Sequence, residues 1–311
     1  MKRNALATVI LINVLAAQAL CQNIKGLAST DDGLHFLIVG DWGRNGEYHQ
    51  KDVARMMDRA GRQLDIEAVI SVGDNFYPNG VASTLDPHWN VSFESIYSGH
   101  SLFVPWIVAL GNHDYRGSVQ AQIDYTKVSR RWIMPGRYFV RSFEEDGVSV
   151  DIIVIDTNPF QTDYLSDTTG EYGDVSQQDT AVQKRWLDSV LTKSTATWKI
   201  VIGHHPMYTG GKRKGKTEDM IRSFKDVFDK HGVHAYFAGH EHDLQHHYNG
   251  SGTHYFVSGA GSEVRPTGLL PNALFARSVQ GFATAVLSSS DMVVQFIDYT
   301  GTVLYSTRIS R

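Results

Sequence analysis

The chain has 311 residues, 42% of them hydrophobic and 20% charged, with a formal net charge of -4. That composition excludes a disordered chain and allows one large core. An acidic balance offers no field for collecting nucleic acid, so no nucleic-acid partner is expected.

At the start, Lys2 and Arg3 precede an apolar run from Ala5 to Ala17, and Ala17-Gln18-Ala19 supplies small residues for cleavage. Residues 1–21 therefore read as an export signal and 22–311 as a single catalytic domain. The expected location is secreted or extracytoplasmic: periplasm, cell exterior or a lysosome-like compartment. The apolar run is shorter than the roughly 20 residues of a membrane-spanning helix, and no later stretch is longer. No membrane contact is expected after signal removal, and the mature chain reads as a monomer. Cys21 is the only cysteine, so the body forms no internal disulfide, and Leu20 before it disfavours lipidation. Asn90-Val91-Ser92 and Asn249-Gly250-Ser251 fit the glycosylation pattern.

One arrangement then recurs. A short apolar run rich in β-branched residues ends in glycine, and a residue able to bind metal follows. His35 to Val39 leads into Gly40-Asp41, and Ala68 to Val72 into Gly73-Asp74. Trp106 to Leu110 leads into Gly111-Asn112-His113-Asp114, Lys199 to Ile202 into Gly203-His204-His205, and His234 to Ala238 into Gly239-His240-Glu241-His242. Five buried strands thus deliver side chains from their carboxyl ends, where layered α/β folds place ligand sites. Helical periodicity marks Tyr48 to Gln63, Asp179 to Lys193 and Thr217 to His231. After Ser258 the pattern changes to strands at Gly281 to Leu287, Met292 to Asp298 and Thr302 to Ile309. The fold class is α/β with α+β character, a mixed β-sandwich core flanked by helices.

Singly, a Gly-Asp pair at a strand end is a turn. Jointly, five strand ends carrying carboxylates, an amide, a phenol and imidazoles are explained at once by a metal pair.

Gly40-Asp41-Trp42-Gly43, Gly73-Asp74-Asn75-Phe76-Tyr77, Gly111-Asn112-His113-Asp114, Val201-Ile202-Gly203-His204 and Gly239-His240-Glu241-His242 resemble, in order, the five motifs of purple acid phosphatases. Ser118 to Ile123 and Ser129-Arg130-Arg131-Trp132 are similar to the small mammalian-type, tartrate-resistant branch. The resemblance implies the four-layer metallophosphoesterase fold and a binuclear centre. Asp41, Tyr77 and His242 would hold Fe(III), while Asn112, His204 and His240 would hold a divalent partner, Fe(II), Zn(II) or Mn(II). Asp74 would bridge the two. Two carboxylates and a phenolate are hard anionic donors suited to Fe(III), and an amide with two imidazoles suits a divalent ion. Many wider relatives carry histidine where this chain has Gly43, and Tyr77 would supply the missing donor together with the purple colour.

Ions sharing a carboxylate sit roughly 3.5–4 Å apart and clamp a phosphate. The implied activity is acid hydrolysis of phosphate monoesters by metal-bound hydroxide, with His113 and Asn112 contacting substrate and His113 giving the leaving group its proton. Aryl phosphates, nucleotides and phosphoproteins are the substrate classes. Where mammalian-type relatives carry a further histidine, this chain has Gly210-Gly211-Lys212-Arg213-Lys214-Gly215-Lys216. That run is either a solvated loop or, through Lys212 and Arg213, a contact for polyanionic esters. His205 reads as a packing residue, His246 and His247 as structural or exposed. Gln161 to Gln178 falls where mammalian-type relatives have an activity-repressing loop, and also reads as an ordinary mobile loop. Two rival functions stay open: a phosphodiesterase or nucleotidase with two divalent metals, and a secreted iron-binding protein.

Overall fold

The computed structural model describes residues 23–250 and 252–311, so the export signal, Cys21 and the last residue of the second glycosylation triplet lie outside it. Among the described residues the strands are β1 (Leu34–Val39), β2 (Ala68–Ser71), β3 (Trp106–Val108), β4 (Trp132–Ile133), β5 (Phe139–Glu145), β6 (Val148–Val154), β7 (Trp198–Ile202), β8 (Ala235–Ala238), β9 (Leu244–His247), β10 (His254–Ser258), β11 (Ala273–Arg277), β12 (Gly281–Leu287), β13 (Asp291–Asp298) and β14 (Val303–Ser310). They form two seven-stranded sheets, ordered β14-β13-β12-β1-β2-β3-β4 and β11-β9-β10-β8-β7-β6-β5.

Alternation along β1 explains the layering. Phe36 and Ile38 point between the sheets, where they join Ile70, Ile107, Ile152, Ile200, Phe237 and Phe256. Leu37 and Val39 point the other way, into a second core with Trp42, Val53, Met57, Trp106 and Trp132. The outer face of the second sheet carries Ile153, Val201 and Tyr236 against helices. Both faces of β1 are covered, which is why it reads as an unbroken apolar run.

The long helices fall where the periodicity places them. Helix α1 (Gln50–Leu64) buries Val53, Ala54, Met57, Ala60 and Leu64 along one face. Two very short helical segments follow, α2 (Asn112–Tyr115) and α3 (Val119–Tyr125), and then α4 (Thr162–Leu165). Helix α5 (Thr180–Lys193) is capped by the Asp179 carboxylate, which accepts from the amides of Ala181 and Val182. Helix α6 (Glu218–His231) opens on two acids and ends on Lys230, His231 and the left-handed Gly232. The third motif's strand is shorter than its apolar run, stopping at Val108 because Ala109 to Gly111 turn toward the site. Among the described residues no helix is long and apolar enough to cross a membrane.

In the first sheet β1, β2, β3 and β4 are parallel, and in the second β6, β7, β8 and β10 are. The five motif-bearing strands, β1, β2, β3, β7 and β8, therefore release their carboxyl ends toward one edge of the sandwich.

Candidate metal centre

Three of the residues at these strand ends adopt a backbone conformation that non-glycine residues rarely take. Asp41, Asp74 and His240 have φ of 57°, 51° and 68°. Such strain of order 1–3 kcal/mol each persists where the surroundings over-determine it, typically at functional sites. Trp42 anchors the first turn: its ring meets Phe76, Tyr97 and Trp106 edge-on, and its Nε1 donates to Ser71 Oγ at 2.8 Å. The histidine that wider relatives carry cannot stand at Gly43. A Cβ there would lie 1.8 Å from the Asn75 carbonyl oxygen.

The side chains converge as two sets sharing one carboxylate. Tyr77 Oη lies 2.9 Å from Asp41 Oδ1, 3.0 Å from Asp74 Oδ2 and 3.1 Å from His242 Nε2. The same Asp74 oxygen is 3.4 Å from His204 Nε2, which faces His240 Nδ1 at 3.1 Å. Asp74, His204 and His240 are buried and offer donor atoms within 4.8 Å of one another. His204 Nδ1 donates to the Val72 carbonyl at 2.9 Å, which leaves Nε2 for the site. Asn112 Oδ1 is buried without a hydrogen-bond partner. An orphaned amide oxygen and opposed imidazole nitrogens beside a shared carboxylate are what a pair of cations would satisfy.

Electrostatics without the ions are correspondingly tense. Burial pushes the Asp74 carboxyl up, but the charges and hydrogen bonds of His204 and His113 hold it far below the usual carboxylate range. Burial pushes His204 down, yet the Asp74 carboxylate lifts it to about 9. His240 is held well below an ordinary histidine by burial and by the neighbouring His205 imidazole and Arg213 guanidinium. Burial and the carboxylates of Asp41 and Asp74 push the Tyr77 phenol up. Asp114, pushed up to about 7 by burial and the Asp74 charge, accepts from the amides of Gly111 (2.8 Å) and Asn75 (3.0 Å) and from Gln122. It is a buttress beneath the second and third motifs.

His113 borders a cleft of about 1010 Å³ that also exposes Asp74, Asn112, His240 and His242. Its Nδ1 lies 2.5 Å from the Pro78 carbonyl and its Nε2 3.9 Å from Asp74 Oδ2. The basic run divides. Lys212, Arg213 and Lys216 line the cleft, whereas Lys214 is not part of the lining. His205 is buried, with Nδ1 2.8 Å from Thr157 Oγ1 and Nε2 3.0 Å from Tyr164 Oη, and it lines the cleft beside the ligand-type residues. His246 and His247 are buried, not exposed: His246 meets Tyr305 and His254, and His247 meets Gln245. The 161–178 segment supplies Gln161, Thr162, Asp163, Tyr164 and Tyr172 to the cleft wall. It is tied down by ion pairs of Arg116 with Glu171 and of Arg137 with Asp174, and by stacking of Tyr164 on Tyr172.

Four residues of this neighbourhood carry no signal of their own in the sequence: Arg44, Arg116, Glu263 and Arg265. Glu241 had one, as an acid between two alternating histidines. It is fully buried and accepts from the amides of Lys212 and Arg213.

Residues 34–244 match the calcineurin-like phosphoesterase family. Purple acid phosphatase 17 of Arabidopsis thaliana is 36% identical over 292 residues, spanning 89% of this chain and 85% of the relative. Tartrate-resistant acid phosphatase type 5 of Homo sapiens is 34% identical over 310 residues, spanning 92% of this chain and 94% of the relative. Among solved structures, GAP50, the anchor in the inner membrane complex of Plasmodium, shares the fold with a TM-score of 0.76 at 23% identity, over 90% of this chain and 89% of its own. Matched at this identity over this share of their length, the chain belongs to the purple acid phosphatases within the calcineurin-like phosphoesterases.

Proposed function

We propose that this protein is an exported acid phosphatase, a single catalytic domain over residues 22–311, that hydrolyses phosphate monoesters at an Fe(III)–M(II) pair. Asp41, Tyr77 and His242 would hold the ferric ion, Asn112, His204 and His240 would hold Fe(II), Zn(II) or Mn(II), and Asp74 would be shared. The observation that carries this reading is the position of Asp74 Oδ2, 3.0 Å from Tyr77 Oη and 3.4 Å from His204 Nε2, between one anionic and one neutral donor set.

When bound, the ions supply Lewis acidity toward the phosphate and an activated nucleophile. The chain's own residues do the rest. Asp74 and Asp41 hold the two halves together, with the Asp41 Oδ2 accepting the His240 amide at 2.9 Å. His113, its Nδ1 beside Pro78, keeps Nε2 in the cleft to hand a proton to the leaving oxygen. Arg116, Lys212, Arg213, Lys216, Arg222 and Arg265 give the cleft wall a surplus of cations over Asp74, Asp163, Glu218 and Asp219, which favours small phosphorylated molecules such as aryl phosphates, nucleotides and phosphorylated side chains.

The test is metal analysis with a visible spectrum, beside a pH profile on 4-nitrophenyl phosphate. Two ions per chain, a visible phenolate-to-iron band and turnover lost in Asp74→Ala are expected. A colourless, active protein replaces the ferric reading with two divalent ions, and iron binding without turnover leaves only an iron carrier.

A further inference from the structure

Arg44 and Glu263 form an ion pair at 2.6 Å, and neither lines the cleft. Between them they reach two donors of the first ligand set. The Arg44 guanidinium carbon lies 3.8 Å from the centroid of the Tyr77 ring, within the range of a strong cation–π contact. The Glu263 oxygen that binds Arg44 is 3.9 Å from His242 Nδ1, a buried nitrogen with no hydrogen-bond partner. The segment carrying Glu263 is held against the first motif: the Gly261 amide donates to the Gly40 carbonyl at 3.1 Å and Ser262 Oγ to the Asp41 carbonyl at 2.5 Å. On the far side the Arg265 amide donates to the His242 carbonyl at 2.9 Å.

We infer that Arg44 and Glu263 are a positioning pair, which aims Tyr77 and His242 at one shared ion and sets how strongly the phenolate donates to it. This rests on the ligand assignment proposed above. A metal-binding histidine is oriented through its second ring nitrogen, most often by a carboxylate, and Glu263 is the carboxylate that faces His242 Nδ1. A cation over the ring stabilises the filled orbitals of a phenolate, so it raises the energy of the transition from phenolate to ferric iron. The bland alternative is an ordinary surface ion pair, for the two side chains keep 18% and 34% of their exposure. Such a pair would change neither colour nor metal retention.

The experiment uses the full mature chain loaded with ferric iron, as wild type, Arg44→Met, Arg44→Lys and Glu263→Gln. Visible spectra, iron loss to a chelator and melting midpoints are measured together. Arg44→Met should move the band to longer wavelength and speed iron loss about tenfold, the low end for outer-shell partners. Arg44→Lys, which keeps the charge without the planar stack, should fall between. Glu263→Gln should speed iron loss with a smaller band shift. An unmoved band and unchanged loss rates in Arg44→Met and Glu263→Gln would overturn the pairing. If wild type binds two ions without a visible band, the ferric reading fails alone, and the loss rates of the bound metal still decide the pair. A wild type that binds no metal overturns both.

Discussion

Glu241 holds Arg213 at both ends. Its carboxylate accepts the Arg213 amide at 3.0 Å and the Arg213 guanidinium at 3.3 Å, while that guanidinium also donates to the His240 carbonyl at 3.0 Å. The basic run is therefore pinned to the last motif, and of its three cleft-lining cations Arg213 and Lys212 are not equivalent. Lys212 has an exposed side chain on the cleft, so Lys212→Ala should lower kcat/KM on ATP severalfold relative to 4-nitrophenyl phosphate and leave the melting midpoint unchanged. Glu241→Ala removes a buried acceptor from three donors and should cost about 2–4 kcal/mol in urea unfolding. Equal losses on both substrates for Lys212→Ala would return the run to a solvated loop.

His113 is adjacent to Asn112 but is not one of the converging donors. His113→Ala should leave metal content and the visible spectrum intact while lowering kcat about 100-fold or more on an alkyl phosphate, whose leaving group needs a proton. The loss should be smaller on 4-nitrophenyl phosphate. Equal loss on both esters would remove the proton-donor role.

Tyr77 has no substitute among the second set. Tyr77→Phe should abolish the visible band, whereas Asn112→Ala should keep it and release the divalent ion first. Spectra with metal counts on both variants decide the assignment, and a band that survives Tyr77→Phe would require another phenolate.

His246 tests stability against pH away from the metals. Burial, with the neighbouring His254 and His247, pushes it down to about 3, and the groups packed on it are His254, the Tyr305 hydroxyl and the Phe256 ring. With its folded value below the unfolded one, the unfolded chain takes the proton first, so stability is fully present above about pH 6.5 and falls as pH drops toward 3. The loss by pH 4 is on the order of 3 kcal/mol. His246→Gln should be less stable than wild type at pH 7 but show a shallower decline in melting midpoint between pH 6.5 and 4. Parallel declines would exclude His246 as a source.

The 161–178 segment forms a wall of the cleft. Arg116→Ala frees Glu171, so limited proteolysis between Leu165 and Tyr172 should speed up, and cleavage there should change KM more than kcat. Identical kinetics before and after cutting would make the segment an ordinary loop.

What the sequence carries and what it hides follow from range. Asp41, Asp74, Asn112, His204 and His240 were legible because each directly follows an apolar run and a glycine, a local signal repeated five times, with His242 two residues on, whereas Tyr77, three residues past Asp74, was marked by the family resemblance. The three long helices were legible from their own local period, at Tyr48 to Gln63, Asp179 to Lys193 and Thr217 to His231. The β5–β6 hairpin had a readable signal as well: Asp146 and Gly147 have φ of 51° and 75°, as a two-residue Asp-Gly turn demands. Edge strand β5 is half exposed and lacks a clean alternation, which masks it. Arg44, Glu263 and Arg116 act through partners distant in the chain, and no local pattern marks a cation that lies over a tyrosine from another loop.

The shared carboxylate and its neighbours have one more consequence, which concerns cohesion. Asp41, Tyr77 and Asn112 follow strands of the first sheet, while His204, His240 and His242 follow strands of the second. In the assignment proposed above neither donor set is complete within one sheet, so an ion held by either set would be a rivet driven through both. Metal loading would then be linked to docking of the two sheets, adding to the apolar core between them, and free metal in the surrounding fluid would become a term in how firmly the sandwich stays shut.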